Sequence, residues 1–103
     1  MLSFNIEFKE DTLRTSFGDS PPTNAVVDVL SADSQLKEIK ASGGLQGGSL
    51  LKINGPVPWP LAFTIGHSVF HGYGAVAVWD SKLRTYVVEA SRSPIYLIGD
   101  LID

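Results

Sequence analysis

The sequence contains no cysteine among its 103 residues. A disulfide scaffold and thiol chemistry are therefore excluded, and the composition suits a cytoplasmic protein, which is the location we expect. No apolar run approaches the roughly 20 residues that a membrane-spanning helix needs. The first ten residues alternate and carry early charges, so they do not resemble a signal peptide, and no membrane partner is expected.

A strong excess of charge of one sign is also missing. The net charge is −3, so the protein has no broad positive field, and duplex DNA is not an expected partner. Any nucleotide site must instead depend on a few placed cations. A chain of 103 residues forms one domain, 1–103, whose core is thin enough that a homodimer is expected.

The first half of the chain predicts a hairpin and a helix. Leu2, Phe4, Ile6 and Phe8 alternate with polar residues, which indicates a half-buried strand paired with a second arm at 13–17. A helix is predicted from residue 25, after a capping residue at 23 or 24, and an interruption at 31–34 leaves open one helix or two short ones.

The second half predicts a strand, a helix and a strand in succession. The strand Ser49–Asn54 is followed by a helix from Pro60 to about His71 and by the apolar strand Ala75–Trp79, which together form a βαβ unit. Tyr86–Ala90 is predicted as an antiparallel strand, and Tyr96–Ile102 closes the sheet or docks on it. The predicted fold is a compact, Rossmann-like α/β domain with a mixed sheet.

A ligand site is predicted where two of these strands end. Asp80 ends the apolar strand, Lys82 follows closely, and Asn54-Gly55-Pro56 follows the neighbouring strand. Ligands of open α/β sheets bind at the carboxyl ends of parallel strands, and a helix N-terminus there favours anions. The ordinary alternative is that Asp80 simply begins a turn.

The segment Ser91-Arg92-Ser93 is predicted to lie close to Asp80 and Lys82 and to bind ligand. It ends a strand with three hydrogen-bonding side chains, and an arginine there can hold a phosphate through two parallel hydrogen bonds. The alternative is a plain surface arginine.

The two histidines, His67 and His71, are four residues apart and share one helix face. They are candidate metal ligands together with Asp80, although a histidine pair without a third ligand is more typical of ordinary surface or core positions. His71 ends a helix, and Asp80 lies at the far end of the next strand, roughly 16 Å away by strand rise. A catalytic site that uses both residues therefore needs a second subunit.

The two tryptophans, Trp59 and Trp79, have two interpretations that the sequence leaves open. An aromatic ring can stack on a nucleic-acid base. Their apolar neighbours favour packing in the core or in a dimer contact instead.

The motifs of the second half together resemble a known family. The motifs are Ile53-Asn54-Gly55-Pro56, a helix with His67 and His71, Gly74 to Asp80, Lys82-Leu83, Tyr86-Val87-Val88, Ser91-Arg92-Ser93-Pro94, Tyr96 and Gly99-Asp100-Leu101-Ile102. This combination resembles the third family of the "Csx" series of CRISPR-associated proteins, from type III systems. The members are ring nucleases that degrade cyclic tetra-adenylate, the second messenger of these systems. The resemblance covers the last half of the chain and implies a fold distantly similar to the CARF domain.

The resemblance also implies roles for particular residues. His71 matches the helix histidine that the family needs for cleavage, and Asp80 matches its strand-ending aspartate. Lys82 stands where the family often has arginine, and it keeps the charge but loses the bidentate fork. Arg92 stands where the family commonly has a histidine between two serines. The family further implies Mn²⁺ as a cofactor, and homodimers that sandwich cyclic tetra-adenylate by stacking into a tetramer or filament.

Several functional hypotheses remain open on the sequence alone. The first is a ring nuclease with His71, Asp80 and Lys82 as catalytic residues. The second is a sensor that binds the cyclic ligand without cutting it, which the Arg92 departure favours. The third is a metal-dependent 3′ exoribonuclease acting on adenylate-rich RNA, and the fourth is a structural domain.

Overall fold

The computed structural model describes residues 4–17, 25–57 and 59–103, which form one six-stranded sheet with two helices. The elements are β1 Phe4–Lys9, β2 Thr12–Phe17, α1 Ala25–Ala41, β3 Gly48–Asn54, α2 Trp59–Val69, a 3₁₀ turn Phe70–Gly72, β4 Tyr73–Asp80, β5 Thr85–Ser91 and β6 Leu101–Ile102. The predicted α/β class, the N-terminal hairpin and the βαβ unit are confirmed. Neither helix of this part of the chain is long and apolar enough to cross a membrane.

The strands follow one another across the sheet in chain order. β2, β3 and β4 run parallel, whereas β1, β5 and β6 each run antiparallel to their neighbours. With α1 and α2 between the parallel strands, the centre is a βαβαβ unit, the half from which Rossmann-type sheets are built. The carboxyl ends of β2, β3 and β4 therefore meet at one end of the sheet, here called the carboxyl end. Their starting points define the opposite, amino end.

Both helices cover the same face of the sheet. Their buried residues Leu36 of α1 and Ile65 of α2 belong to one apolar cluster with Leu13 and Leu51 of the strands. α1 is a single helix of 17 residues, so the interrupted alternative is wrong. The predicted capping residues at 23 and 24 lie outside the described residues.

The opposite face has a smaller core beneath the C-terminal segment. Ala77, Tyr86 and Val88 are buried there, with Tyr96 and Ile102 packed against them. β6 also pairs with β5. The predicted closure of the sheet and the predicted docking on it are therefore both confirmed.

The helix α2 ends slightly earlier than the sequence predicts. It stops at Val69, and His71 lies in the following 3₁₀ turn, which leads directly into β4. Because the turn continues the helical path, His71 still lies close to His67, whose ring centroid is 6.0 Å from its own.

Candidate functional site

Asp80 organises the hairpin between β4 and β5 at the carboxyl end of the sheet. Its Oδ1 accepts hydrogen bonds from the backbone N–H groups of Lys82 at 2.8 Å and Leu83 at 3.0 Å. Its backbone oxygen accepts a third from Arg84 at 2.7 Å, and Arg84 adopts a positive φ of 57°. The alternative that Asp80 begins a turn is therefore correct, and Oδ1 is the atom that does so. A carboxylate has about four acceptor positions, so this role is compatible with a ligand contact.

The segment Asn54-Gly55-Pro56 forms the neighbouring part of the carboxyl end. Gly55 has a φ of +122°, and a Cβ on it would lie 2.1 Å from the backbone oxygen of Thr15. The buried Thr15 hydroxyl donates to the backbone oxygen of Pro56 at 2.9 Å. Only glycine fits this close approach, which fixes the path of the segment. Since Ile53 pairs with Val78 in parallel register, Asn54 and Asp80 lie at the same end of the sheet, as predicted.

His71 is the acid–base candidate at the amino end of the sheet. Its side chain is exposed, and its ring meets the exposed His67 ring edge to face, with an interplanar angle of 86°. His71 lies just before β4 and Asp80 is its last residue, and the eight residues of this strand span roughly 23 Å. The prediction that His71 and Asp80 occupy opposite ends of one copy is confirmed.

Arg92 lies at this amino end and holds the turn that carries His71. Its Nη2 donates to the backbone oxygens of Phe70 at 3.2 Å, His71 at 2.7 Å and Tyr73 at 3.3 Å. A cation at the end of a helix satisfies carbonyl groups that have no partner within the helix. Arg92 therefore acts on the backbone of the His71 turn.

The predicted position of Ser91-Arg92-Ser93 close to Asp80 and Lys82 is wrong. β5 runs antiparallel to β4, so Ser91 pairs with Ala75 at the start of β4, whereas Asp80 pairs with Thr85. The hairpin carries the segment back across the whole sheet. Its predicted role in ligand binding stays a prediction, now at the amino end.

The two serines beside Arg92 shape the chain that follows them. The Ser91 hydroxyl donates to the backbone oxygen of Tyr96 and accepts the N–H of Ser93 at 3.0 Å. The Ser93 hydroxyl accepts the N–H of Ile95, also at 3.0 Å. Both hydroxyls therefore have structural partners in this turn.

Two residues that the sequence did not single out also support the His71 turn. Lys40 of α1 donates through Nζ to the backbone oxygen of Ser68 at 2.7 Å and to its hydroxyl at 2.9 Å. Gly47, with a φ of +103°, approaches so closely that a Cβ would lie 2.6 Å from the backbone oxygen of Gly72. In the sequence these residues appear only as a basic last turn of α1 and a glycine-rich segment at 43–48. Their contacts with Ser68 and Gly72 appear only in the fold.

The histidine pair does not form a metal site with Asp80 in one copy. Asp80 is at the opposite end of β4, so it cannot bind the same ion as His67 and His71 within a single chain, and the candidacy of the three residues as metal ligands stays a prediction. In residues 4–17, 25–57 and 59–103 no group of three or more histidine, aspartate or glutamate side chains is placed to hold a metal ion. Two imidazoles alone are an incomplete donor set. The Mn²⁺ that the family implies stays a prediction, since the described residues of one chain bring together only two imidazoles.

Comparisons with known proteins add no relative, because no family model, no curated protein and no solved structure matches this chain. The family resemblance rests on the motifs of the second half alone.

Proposed function

We propose that this chain is a cytoplasmic ring nuclease that cleaves cyclic tetra-adenylate and so ends type III CRISPR signalling. The site is shared, with His71 from one copy and with Asp80 and Lys82 from another. The observation that carries the proposal is the separation of these groups by the length of β4. The resemblance of the second half to the ring nuclease family supplies the substrate, and the exposure of His71 and Lys82 supports a site between copies.

The reaction needs few groups because RNA carries its own nucleophile. The 2′-hydroxyl of one adenylate attacks the adjacent phosphorus, the bond from phosphorus to the 5′-oxygen breaks, and a 2′,3′-cyclic phosphate and a 5′-hydroxyl form. One proton leaves the 2′-oxygen and one joins the departing 5′-oxygen. His71 performs one of these two transfers, because an imidazole can act as an acid or a base near neutral pH, and solvent water takes up or supplies the other proton.

The carboxyl end of the partner copy supplies the remaining functions. The ammonium group of Lys82 stabilises the negative charge that develops on the phosphorane oxygens. Asp80 orients the 2′-hydroxyl or the imidazole, and Asn54-Gly55-Pro56 forms the wall of the ligand site. A ring of four identical adenylates has two-fold symmetry, so it fits the symmetric contact of a homodimer or of stacked dimers.

Arg92 has a positioning role in this proposal. Its Nη2 donates hydrogen bonds to three backbone oxygens around His71. These bonds hold the turn that carries the imidazole against β4. The histidine that the family commonly carries at this position cannot span three carbonyl groups in the same way. A guanidinium ion is also a poor general acid or base at neutral pH.

A sensor without cleavage activity is the second candidate. The observation that favours it is the same engagement of Arg92, because the histidine that the ring nuclease family commonly carries at this position is replaced by an arginine with a structural contact. Such a protein would bind the ring at the same two ends and release it intact.

The test is incubation of the purified protein with cyclic tetra-adenylate, with and without Mn²⁺, followed by chromatography of the products. The variants are His71→Ala and, as a matched control, His67→Ala, which removes an exposed imidazole one turn earlier. Conversion to linear adenylates that His71→Ala abolishes and His67→Ala largely preserves is the expected result.

Other outcomes identify the alternatives. Tight binding of an intact ring assigns the sensor, and metal-dependent shortening of linear adenylate RNA from its 3′ end assigns the exoribonuclease. Cleavage that His71→Ala leaves unchanged contradicts the assigned site. If the protein neither binds nor cleaves the ring, the function implied by the family resemblance is contradicted.

A further inference from the structure

An exposed tryptophan lies on the face of the sheet opposite the helices, close to the carboxyl end. Trp79 is one residue before Asp80 and is 38% exposed, although it belongs to the central strand β4. Strand alternation places it on the same face as Ala77, whose cluster lies away from the helices. A large aromatic ring in this position is accessible to a ligand that approaches the carboxyl end.

Neighbouring strands place a polar and an aromatic side chain beside Trp79. Tyr86 of β5 is its register partner. On the other side, Ile53 pairs with Val78, so the next residues along these parallel strands, Asn54 and Trp79, lie side by side.

Buried and polar contacts hold the tryptophan ring in place. The Tyr86 ring meets it edge to face, with centroids 5.2 Å apart at 70°. Tyr86 is only 8% exposed, and its hydroxyl accepts a hydrogen bond from Asn54 Nδ2 at 3.1 Å. Lys52 Nζ lies 5.3 Å from the centroid of the Tyr86 ring and donates to the backbone oxygen of Asp103 at 2.7 Å. A ring supported in this way needs little ordering when a ligand stacks on it.

We propose that Trp79 stacks on an adenine base of the ligand and that Asn54 hydrogen-bonds to the edge of that base. The inference rests on the proposed function, since it assigns a base-binding position within the same site. An aromatic ring is a good partner for the flat face of a purine. An asparagine amide offers both a donor and an acceptor, the pair that matches N7 and the 6-amino group of adenine. The bond to Tyr86 uses one amide hydrogen of Asn54 and leaves its second donor for the base.

The Asn54 amide favours a base-binding site over a simple dimer contact. The fully buried core of a protein–protein interface is rich in apolar groups, whereas a base-binding site also needs polar groups beside the aromatic ring. Here the neighbouring side chain on β3 is Asn54, which is half-buried and anchored to Tyr86. The carboxyl end also carries Asp80 and Lys82, which the proposed reaction places at the phosphate and ribose next to the base.

The experiment uses tryptophan fluorescence as a direct reporter. The chain has two tryptophans, so Trp59→Phe leaves Trp79 as the single emitter. We expect saturable quenching by adenosine 5′-monophosphate, with weaker binding of uridine 5′-monophosphate. Neither nucleotide can be cleaved as a ring, so the measurement is independent of nuclease activity.

The variants are tested by calorimetric titration with adenosine 5′-monophosphate, using otherwise wild-type protein, and with cyclic tetra-adenylate in the His71→Ala background, in which the proposal predicts that the ring stays intact. Trp79→Ala is expected to weaken binding about 10- to 100-fold, and Trp79→Phe only a few-fold because it keeps a ring. Asn54→Ala should reduce the preference for adenine over uracil. Phe63→Ala, which removes an exposed aromatic ring from α2, is the control and should bind like wild type.

The outcomes distinguish this inference from the proposed enzyme. Unchanged dissociation constants for Trp79→Ala, or a weakened dimer with unchanged nucleotide binding, would overturn the stacking proposal even if the ring is still cleaved. Quenching of Trp79 by adenosine 5′-monophosphate without ring cleavage would support the base site and contradict the nuclease. If Trp79→Ala does not fold, Trp79→Phe and the quenching measurement still decide.

Discussion

The two ends of the central strand differ in both chemistry and construction. The amino end presents two imidazoles, with His71 on a turn that Arg92 holds through backbone oxygens, and Lys40 holds the last turn of α2 through the backbone oxygen of Ser68. The carboxyl end presents a carboxylate, an amide and a lysine, on turns fixed by Asp80 Oδ1 and by the close approach of Gly55 to Thr15. His71 and Asp80, the two groups assigned to the proposed cleavage, lie at opposite ends of β4. The proposed reaction, which uses both residues, therefore needs contact between the amino end of one copy and the carboxyl end of another.

Removal of the imidazole is expected to have the largest effect on activity. His71→Ala should lower the cleavage rate about 100-fold or more, since general acid–base groups contribute about 10²- to 10⁴-fold. Because His71 is exposed, the free energy of unfolding should change little. Rate measurements and thermal unfolding check both statements. A large loss of stability with a small loss of rate would contradict them.

A methyl group at Gly55 tests the rigidity of the carboxyl end. Gly55→Ala places Cβ 2.1 Å from the backbone oxygen of Thr15, at a φ that alanine rarely adopts. We expect a loss of about 3 kcal/mol of stability, in line with the larger effects of strained backbone substitutions. Chemical denaturation measures this loss.

The matched control for that substitution is Gly66→Ala. Gly66 lies in α2, and no heavy atom is within 4 Å of the position of its Cβ. Alanine favours a helix over glycine by about 1 kcal/mol, so this variant should be slightly more stable than wild type. Equal losses for both glycine variants would contradict the assigned role of Gly55.

Paired substitutions separate the structural and chemical roles of Asp80. Asp80→Asn keeps an oxygen that can accept the N–H groups of Lys82 and Leu83, whereas Asp80→Ala removes it. Both should lower the cleavage rate about 10-fold or more if the carboxylate takes part in the reaction, but only Asp80→Ala should also lose about 1 kcal/mol of stability. A fully active Asp80→Asn protein would leave Asp80 with the turn role alone.

Loosening the His71 turn should have the smallest effect. Arg92→Ala is expected to reduce the cleavage rate several-fold and the free energy of unfolding by about 1 kcal/mol, because three carbonyl groups lose a charged donor. Arg92→Lys should recover part of both losses. Rates measured over a pH series should keep the same profile for all three proteins, since Arg92 positions the acid–base group and does not itself transfer a proton.

Alternation and periodicity predicted the strands and helices well because those elements are determined locally. The alternating apolar residues around Ile6 gave β1, and the apolar run through Ala77 gave β4. The opposite positions of His71 and Asp80 could also be predicted, because a strand has a known rise per residue.

Contacts between distant segments could not be predicted in the same way. The Arg92 side chain reaches its backbone partners because β5 pairs antiparallel with β4 and returns the chain to the start of β4. The tight packing of Gly47 on Gly72 and of Gly55 on Thr15 likewise appears only after the strands are placed in register. The helix α2 was predicted slightly too long, because the 3₁₀ turn that follows it continues the helical path.

The most direct test of a site shared by two copies is complementation between inactive variants. His71→Ala and Asp80→Asn are each assayed with cyclic tetra-adenylate, and then mixed in equal amounts after dissociation and reassociation. The account predicts that the mixture recovers about a quarter of the wild-type activity, because random pairing leaves that share of sites with both an intact His71 and an intact Asp80. A mixture as inactive as its separate components would contradict the shared site.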